Sequence, residues 1–267
     1  MKRKPVVAGS FYPPSSSVLS SQIEGYLDRS RKPQEAVAVI SPHAGYMYSG
    51  RVAGETYSAV LLPETFVILC PNHRGWGKPI AIMSTGGWLT PMGEVAIDTE
   101  LAEAIKKQSD LVSEDELAHR AEHSLEVQLP FIQVLKEHFR FVPICIGVHQ
   151  LKDLVDLGHA IAAAVKESGK KVLLVASTDM THYEAQDVAQ RKDALAIEQI
   201  EKLSEEGLFD VVARREISMC GVAPTAAVIA AAKDLGAKKG VLIKYSTSGE
   251  VTGESREVVG YAGMILV

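Results

Sequence analysis

Three of the chain's eight histidines stand just beyond apolar segments that read as strands. The run ending at Ser41 leads into Pro42-His43, the run ending at Cys70 into Pro71-Asn72-His73, and the run Val172–Ser177 into Thr178-Asp179-Met180-Thr181-His182. The prolines help to end the strands, because they cannot donate to a ladder. In open α/β sheets, ligands bind in the crevice beyond the carboxyl ends of the strands. Imidazoles are metal ligands and proton carriers near neutral pH. The spacing therefore predicts that His43, His73 and His182 converge on one pocket from separate strands. A single histidine after a strand is ordinarily a loop or cap residue. Three such placements argue for a shared site but do not name its chemistry.

The neighbouring residues add to this. Gly45 and Gly75 each follow a candidate histidine by two positions and allow tight turns. Asp179 lies close enough to His182 to orient an imidazole or a ligand, and equally could serve as a turn or cap residue. Cys220, in Met219–Pro224, sits outside any strand-like run and just before a helical pattern, where the helix dipole favours a thiolate. Cys70 and Cys145 fall inside apolar runs, where thiols act as small hydrophobes. His119 and His123 have the spacing of two imidazoles on one helix face. The zinc-protease pattern fails, because Arg120 stands where it needs glutamate. His123 beside Glu122 remains a pocket candidate. His138, His149 and His159 read as surface or satisfied histidines.

The elements that must position these residues alternate along the chain. Extended segments are expected at Ala36–Ser41, Phe66–Cys70, Pro79–Ser84, Phe141–Gly147, Val172–Ala176, Gly240–Ser246 and Val258–Val267. Several are continuously apolar, as expected of strands covered on both faces. Helices are expected at Ser17–Arg29 with a serine cap, Thr99–Lys107 capped by Asp98, Leu151–Lys170 ending near Gly169, Asp187–Leu203 and Ala223–Leu235. Trp76–Gly93 reads as a loop and hairpin. No long linker divides the chain, so residues 1–267 form one α/β domain with a layered mixed sheet flanked by helices on both faces.

Composition excludes several classes. Hydrophobic residues make up 46% and charged residues 23%, so a packed core is expected rather than disorder. A net charge of −5 without a basic stripe speaks against nucleic acid. No apolar run approaches the roughly 18 residues of a membrane span, and the N-terminus lacks a signal-peptide pattern. Three cysteines leave one unpaired, which suits a reducing, cytoplasmic compartment. Phosphate-binding GxxxxGK[ST], dinucleotide GxGxxG and serine-hydrolase GxSxG motifs are absent.

Six blocks together resemble the Memo family: Ala8–Pro13, Ser41–Gly50, Cys70–Gly75, Glu122–Phe131, Ser177–Tyr183 and Met219–Pro224. They span nearly the whole chain. The resemblance implies a fold similar to class III extradiol dioxygenases, which are non-haem iron enzymes. It implies His43 and His73 as metal ligands, with Cys220 in the third-ligand position that the dioxygenases fill with a carboxylate. It places His182 where those enzymes have their acid/base histidine, and Asp179 and His123 in the pocket. Iron or copper is the implied metal. A thiolate softens the site toward copper or zinc, so dioxygenase activity does not transfer with the fold. Two functions follow as expectations: a metal-dependent oxidoreductase acting on a small molecule, or a non-catalytic module binding a peptide, with or without phosphate, or handling metal. In the second, Tyr46, Tyr48 and Arg74 would supply stacking and anion contacts. A third expectation is a metal-free protein in which His182 activates the Cys220 thiol. Prokaryotic members of the family are associated with radical-SAM proteins. No role is assigned to His119 or to the Trp76–Gly93 loop.

Overall fold

The computed structural model describes residues 2–267 and folds around a twelve-stranded mixed sheet. Its centre is a parallel run in the order Gly93–Ile97, Arg140–Ile146, Thr65–Pro71, Val172–Ser177 and Ala38–Ser41. Val258–Leu266 closes this run antiparallel to Ala38–Ser41 and carries Gly240–Thr247 on its other side. The central strands are buried on both faces, which is why they read as continuous apolar runs rather than alternating ones.

Helices cover the sheet. On one face Val222–Asp234 packs on the central strands and against Leu151–Ser168, which in turn meets Thr99–Gln108. The contact is close because both helices are rich in small residues: a Cβ on Gly158 would come within 2.6 Å of the Ala227 carbonyl oxygen. On the other face lie Tyr46–Ser58, Ser16–Glu24 and Leu129–Leu135. No helix among the described residues is long and apolar enough to cross a membrane.

The expected strands are all present, with ends displaced by a few residues. Pro79–Ser84 shrinks to Ile80–Ile82, and Trp76–Gly93 contains the first arm of a hairpin, Gly87–Thr90 paired with Gly93–Ile97. Asp98 caps its helix through Leu101 N–H, and Gly169 ends its helix in the left-handed region. The first helix differs. It stops at Glu24 rather than Arg29, and the Ser15 side chain makes no capping bond.

Tyr46–Ser58 is a helix that the sequence pattern did not announce. Gly50 and Gly54 weaken its helical signal, yet both are required by packing. A Cβ on Gly50 would approach the Tyr26 ring to 2.5 Å, and one on Gly54 the Tyr26 carbonyl oxygen to 2.6 Å. Glu205–Arg214 and Leu129–Leu135 are two further helices outside the expected set.

Candidate metal centre

Ala38–Ser41, Val172–Ser177 and Thr65–Pro71 are neighbours in the sheet and run the same way. His43, Asp179 and His73 therefore leave from the same end of the sheet. One ring nitrogen each from His43, His73 and His123 lie within 4.8 Å of one another. The rings of His43 and His73 are 5.2 Å apart and near perpendicular, and those of His73 and His123 are 4.8 Å apart. His43 is buried, His123 half-buried, and His73 faces solvent, so the cluster opens on the His73 side.

The hydrogen bonds fix the tautomers. Ser177 Oγ donates to the Ser124 carbonyl at 2.7 Å and accepts from Gln128 Nε2. With its proton committed, it can only accept from His43 Nδ1 at 3.0 Å, which leaves the lone pair on His43 Nε2. His73 Nδ1 donates to Glu122 Oε1 at 2.9 Å, and His73 N–H donates to the other carboxylate oxygen at 2.8 Å. His123 Nδ1 lies 3.5 Å from the same Oε1. This is the carboxylate–histidine arrangement that orients metal-ligating imidazoles.

Burial raises the Glu122 carboxyl, but the hydrogen bonds from His73 and Ser124 outweigh it and hold the group well below the usual carboxylate range. Burial pushes His43 well below its ordinary value and His123 down to about 4, with the neighbouring imidazoles adding to the effect. Both are neutral at pH 7, the form in which histidine binds metal.

Cys220 touches this cluster through one member. Its Sγ is 3.2 Å from His43 Nε2 and accepts from Asp179 N–H at 3.2 Å. It does not belong to the mutually close set, where His123 takes the third place. As the sequence implies, the helix begins just after the thiol, at Val222, but burial together with the Asp179 charge pushes the thiol pKa well up. A proton therefore has to leave Cys220 whenever its sulfur ligates a metal.

Asp179 is buried beside these groups. Its Oδ1 accepts from His43 N–H at 2.7 Å, and its Oδ2 is 3.9 Å from His43 Nε2. Burial raises its carboxyl to about 6 in spite of that bond.

His182 is not one of the mutually close imidazoles, but its ring is near enough to act electrostatically on His43 and Asp179. Its Nδ1 donates to the Ser218 carbonyl at 2.9 Å and its backbone N–H to Ser218 Oγ at 2.7 Å, leaving Nε2 free. The pairing expected between His182 and Cys220 is absent, since the sulfur faces His43. Tyr183, next in sequence, has a φ of 57° and is extruded at a bulge in the short pairing with Val258 and Val259.

Tyr46 is corrected from pocket wall to core. Its ring packs on Tyr12 and Phe131 and its hydroxyl donates to the Val127 carbonyl, because it starts the helix that the glycines concealed. Arg74 is exposed at the rim and donates to the Ala121 carbonyl. The helix face expected for His119 and His123 is a series of turns. His119 points away into the core against Trp88, with no hydrogen-bond partner on either ring nitrogen. Glu122, Ser177, Gln128 and Phe11 were not singled out from sequence. The signals were present in the Glu122–Phe131 block and in the serine that ends Val172–Ser177. Phe11 lies edge-on to His123, 4.9 Å between centroids. A cavity of about 770 Å³ lies elsewhere, at the opposite ends of the strands near Thr65, Arg140 and Lys170.

Fold and site together define an α/β protein in which His43 and His73, beyond the carboxyl ends of parallel strands in one sheet, cluster with His123. The chain belongs to the Memo family: the Memo-like protein family matches residues 3–265. It is 46% identical to a MEMO1 family protein of Methanopyrus kandleri and 45% identical to one of Pyrobaculum aerophilum. These alignments cover 99% of both chains in the first case and 98% of both in the second. A MEMO1 family protein of Methanothermobacter thermautotrophicus is 43% identical over 98% of this chain and 99% of its own. An uncharacterized protein of Escherichia coli K12 shares the fold, with a TM-score of 0.53 at 14% identity over 85% of this chain and 98% of that one.

Proposed function

We propose that the protein binds one redox-active transition metal, iron or copper, and acts as a metal-dependent oxidoreductase on a small molecule. The observation that carries this reading is the convergence of imidazoles whose Nδ1 protons are committed elsewhere. His43 and His73 are the core donors. Cys220 and His123 stand on either side of them, and the donor set of nitrogen and sulfur suits iron, copper or zinc. The metal would supply electron transfer or polarise a bound oxygen. His182, its Nδ1–H tied to Ser218, keeps Nε2 available as proton donor or acceptor. Asp179 holds the His43 backbone through its carboxylate and the Cys220 sulfur through its own backbone N–H.

Exposed Arg74, at the rim beside His73, favours a second reading in which the same pocket binds an anionic peptide without turnover. Anaerobically purified protein should contain near-stoichiometric iron or copper and should consume oxygen with a phenol or catechol panel in a metal-dependent manner. Full metal content with no oxygen uptake, together with phosphopeptide affinity that survives chelation, would select the second reading.

Glu122→Gln tests the carboxylate–histidine arrangement. It keeps the shape but loses the charge that holds His73 Nδ1–H, and metal affinity should fall about ten- to a hundredfold. Competition titration against a chromophoric chelator measures this, and an unchanged affinity would show that Glu122 does not orient His73.

A further inference from the structure

We infer that Arg3, at the far N-terminal end of the chain, is a positioning residue of the metal centre, acting on His73 and His43 through the 119–126 segment; this rests on the metal-binding reading above. Arg3 is 4% exposed and Glu126 fully buried. All three guanidinium nitrogens are committed. Nε donates to the His119 carbonyl at 2.7 Å, Nη2 to the Glu122 carbonyl, and Nη1 to Glu126 Oε2 at 2.7 Å. The guanidinium carbon lies 4.0 Å from the centroid of the Trp88 ring. Glu126 in turn accepts from Val6 N–H, Val7 N–H and the Tyr12 hydroxyl. The fork thus grips both ends of one irregular stretch and pins the N-terminal strand to it.

That stretch carries or contacts the groups that hold all three imidazoles. Between the gripped carbonyls and Glu126 stand Glu122, which holds His73, and His123 itself. Ser124 follows, and its carbonyl accepts from the Ser177 hydroxyl that fixes His43. No helix or strand shapes residues 118–125; short local turns bend them, and the His119 and Glu122 carbonyls take their bonds from Arg3. A buried ion pair is a weak source of stability compared with apolar packing. What a rigid guanidinium fork supplies better than an apolar side chain is geometry, since lysine cannot reach several acceptors in one plane.

The test uses the full chain, freed of metal, with Co(II) and Zn(II) as probes, in wild type, Arg3→Met, Arg3→Lys and Glu126→Gln. Arg3→Met should weaken Co(II) binding about ten- to a hundredfold at a temperature where it is still folded, with an altered Co(II) absorption spectrum. Arg3→Lys and Glu126→Gln should lie between it and wild type. The nitrogen-15 spectrum of labelled histidine should show the His73 Nδ1–H signal sharp in wild type and broadened or lost in Arg3→Met. Variants that melt earlier yet keep wild-type Co(II) affinity, spectrum and His73 signal would overturn the inference and leave Arg3 merely structural. If Arg3→Met does not fold, the two milder variants decide the matter by the same readouts. If wild type takes up no metal, the metal-binding reading falls, and the His73 signal alone decides the role of Arg3.

Discussion

Replacing His43 by alanine is expected to abolish stoichiometric metal binding and lower affinity by at least about a thousandfold, on the order of 4 kcal/mol. His43 is the one donor that meets both sides of the centre, with His73 and His123 in its ring contacts and the Cys220 sulfur at 3.2 Å from Nε2. His73→Ala should have a similar effect. Cys220→Ala should lose less, because His123 remains within the mutually close set. Elemental analysis of anaerobically purified variants, beside circular dichroism to confirm the fold, reads this directly. Variants that keep the wild-type metal content would remove these residues from the centre.

The second large effect is a loss of stability in mild acid. His43, His119 and His123 are held neutral in the native state, the last two down to about pH 4, chiefly by burial. In the unfolded chain each takes a proton near pH 6.5. Between those values the unfolded state binds more protons, so stability falls as pH falls through this window. Asp179 works in the opposite sense. Its raised pKa, about 6, lets the native state keep a proton that the unfolded chain releases. With three histidines and the lowered Glu122 opposed by Asp179 and the likewise raised Asp193, the net difference near pH 5 is roughly one to two protons, or on the order of 2 kcal/mol lost per pH unit. Denaturant midpoints of the metal-free protein between pH 7 and 4.5 should show this slope, and His119→Phe should reduce it. A flat profile would mean that these imidazoles are protonated in the fold.

The parallel strands and the histidines beyond them were legible because strands buried on both faces leave unbroken apolar runs, and prolines mark where they stop. Asp179 was visible for the same reason, since it follows a strand end. Tyr46 was misplaced because Gly50 and Gly54 obscure the helix that carries it into the core. The turns around His119–Ser124 could not be read at all. Beside their local turn bonds, the His119 and Glu122 carbonyls accept from Arg3, more than a hundred positions away, and no local periodicity encodes such a partner. Glu122 shows the limit most clearly. A carboxylate next to a histidine reads as a solvated charge until the fold buries it under His73 and Ser124. Family membership, carried by six blocks across the chain, was the strongest signal in the sequence and agrees with the Memo-like match over residues 3–265.

The pairing of Ala38–Ser41 with Val172–Ser177 has a kinetic consequence. His43 and Asp179 lie 136 positions apart in the chain, and His43 and Cys220 lie 177 apart. Contacts so distant form slowly, after the loops between them have closed. The pocket is therefore completed late in folding and gives an ion no preformed nest in the nascent chain. On the metal-binding reading, loading would follow synthesis rather than guide it, and a bound ion would act as a brake on unfolding instead of a seed for folding.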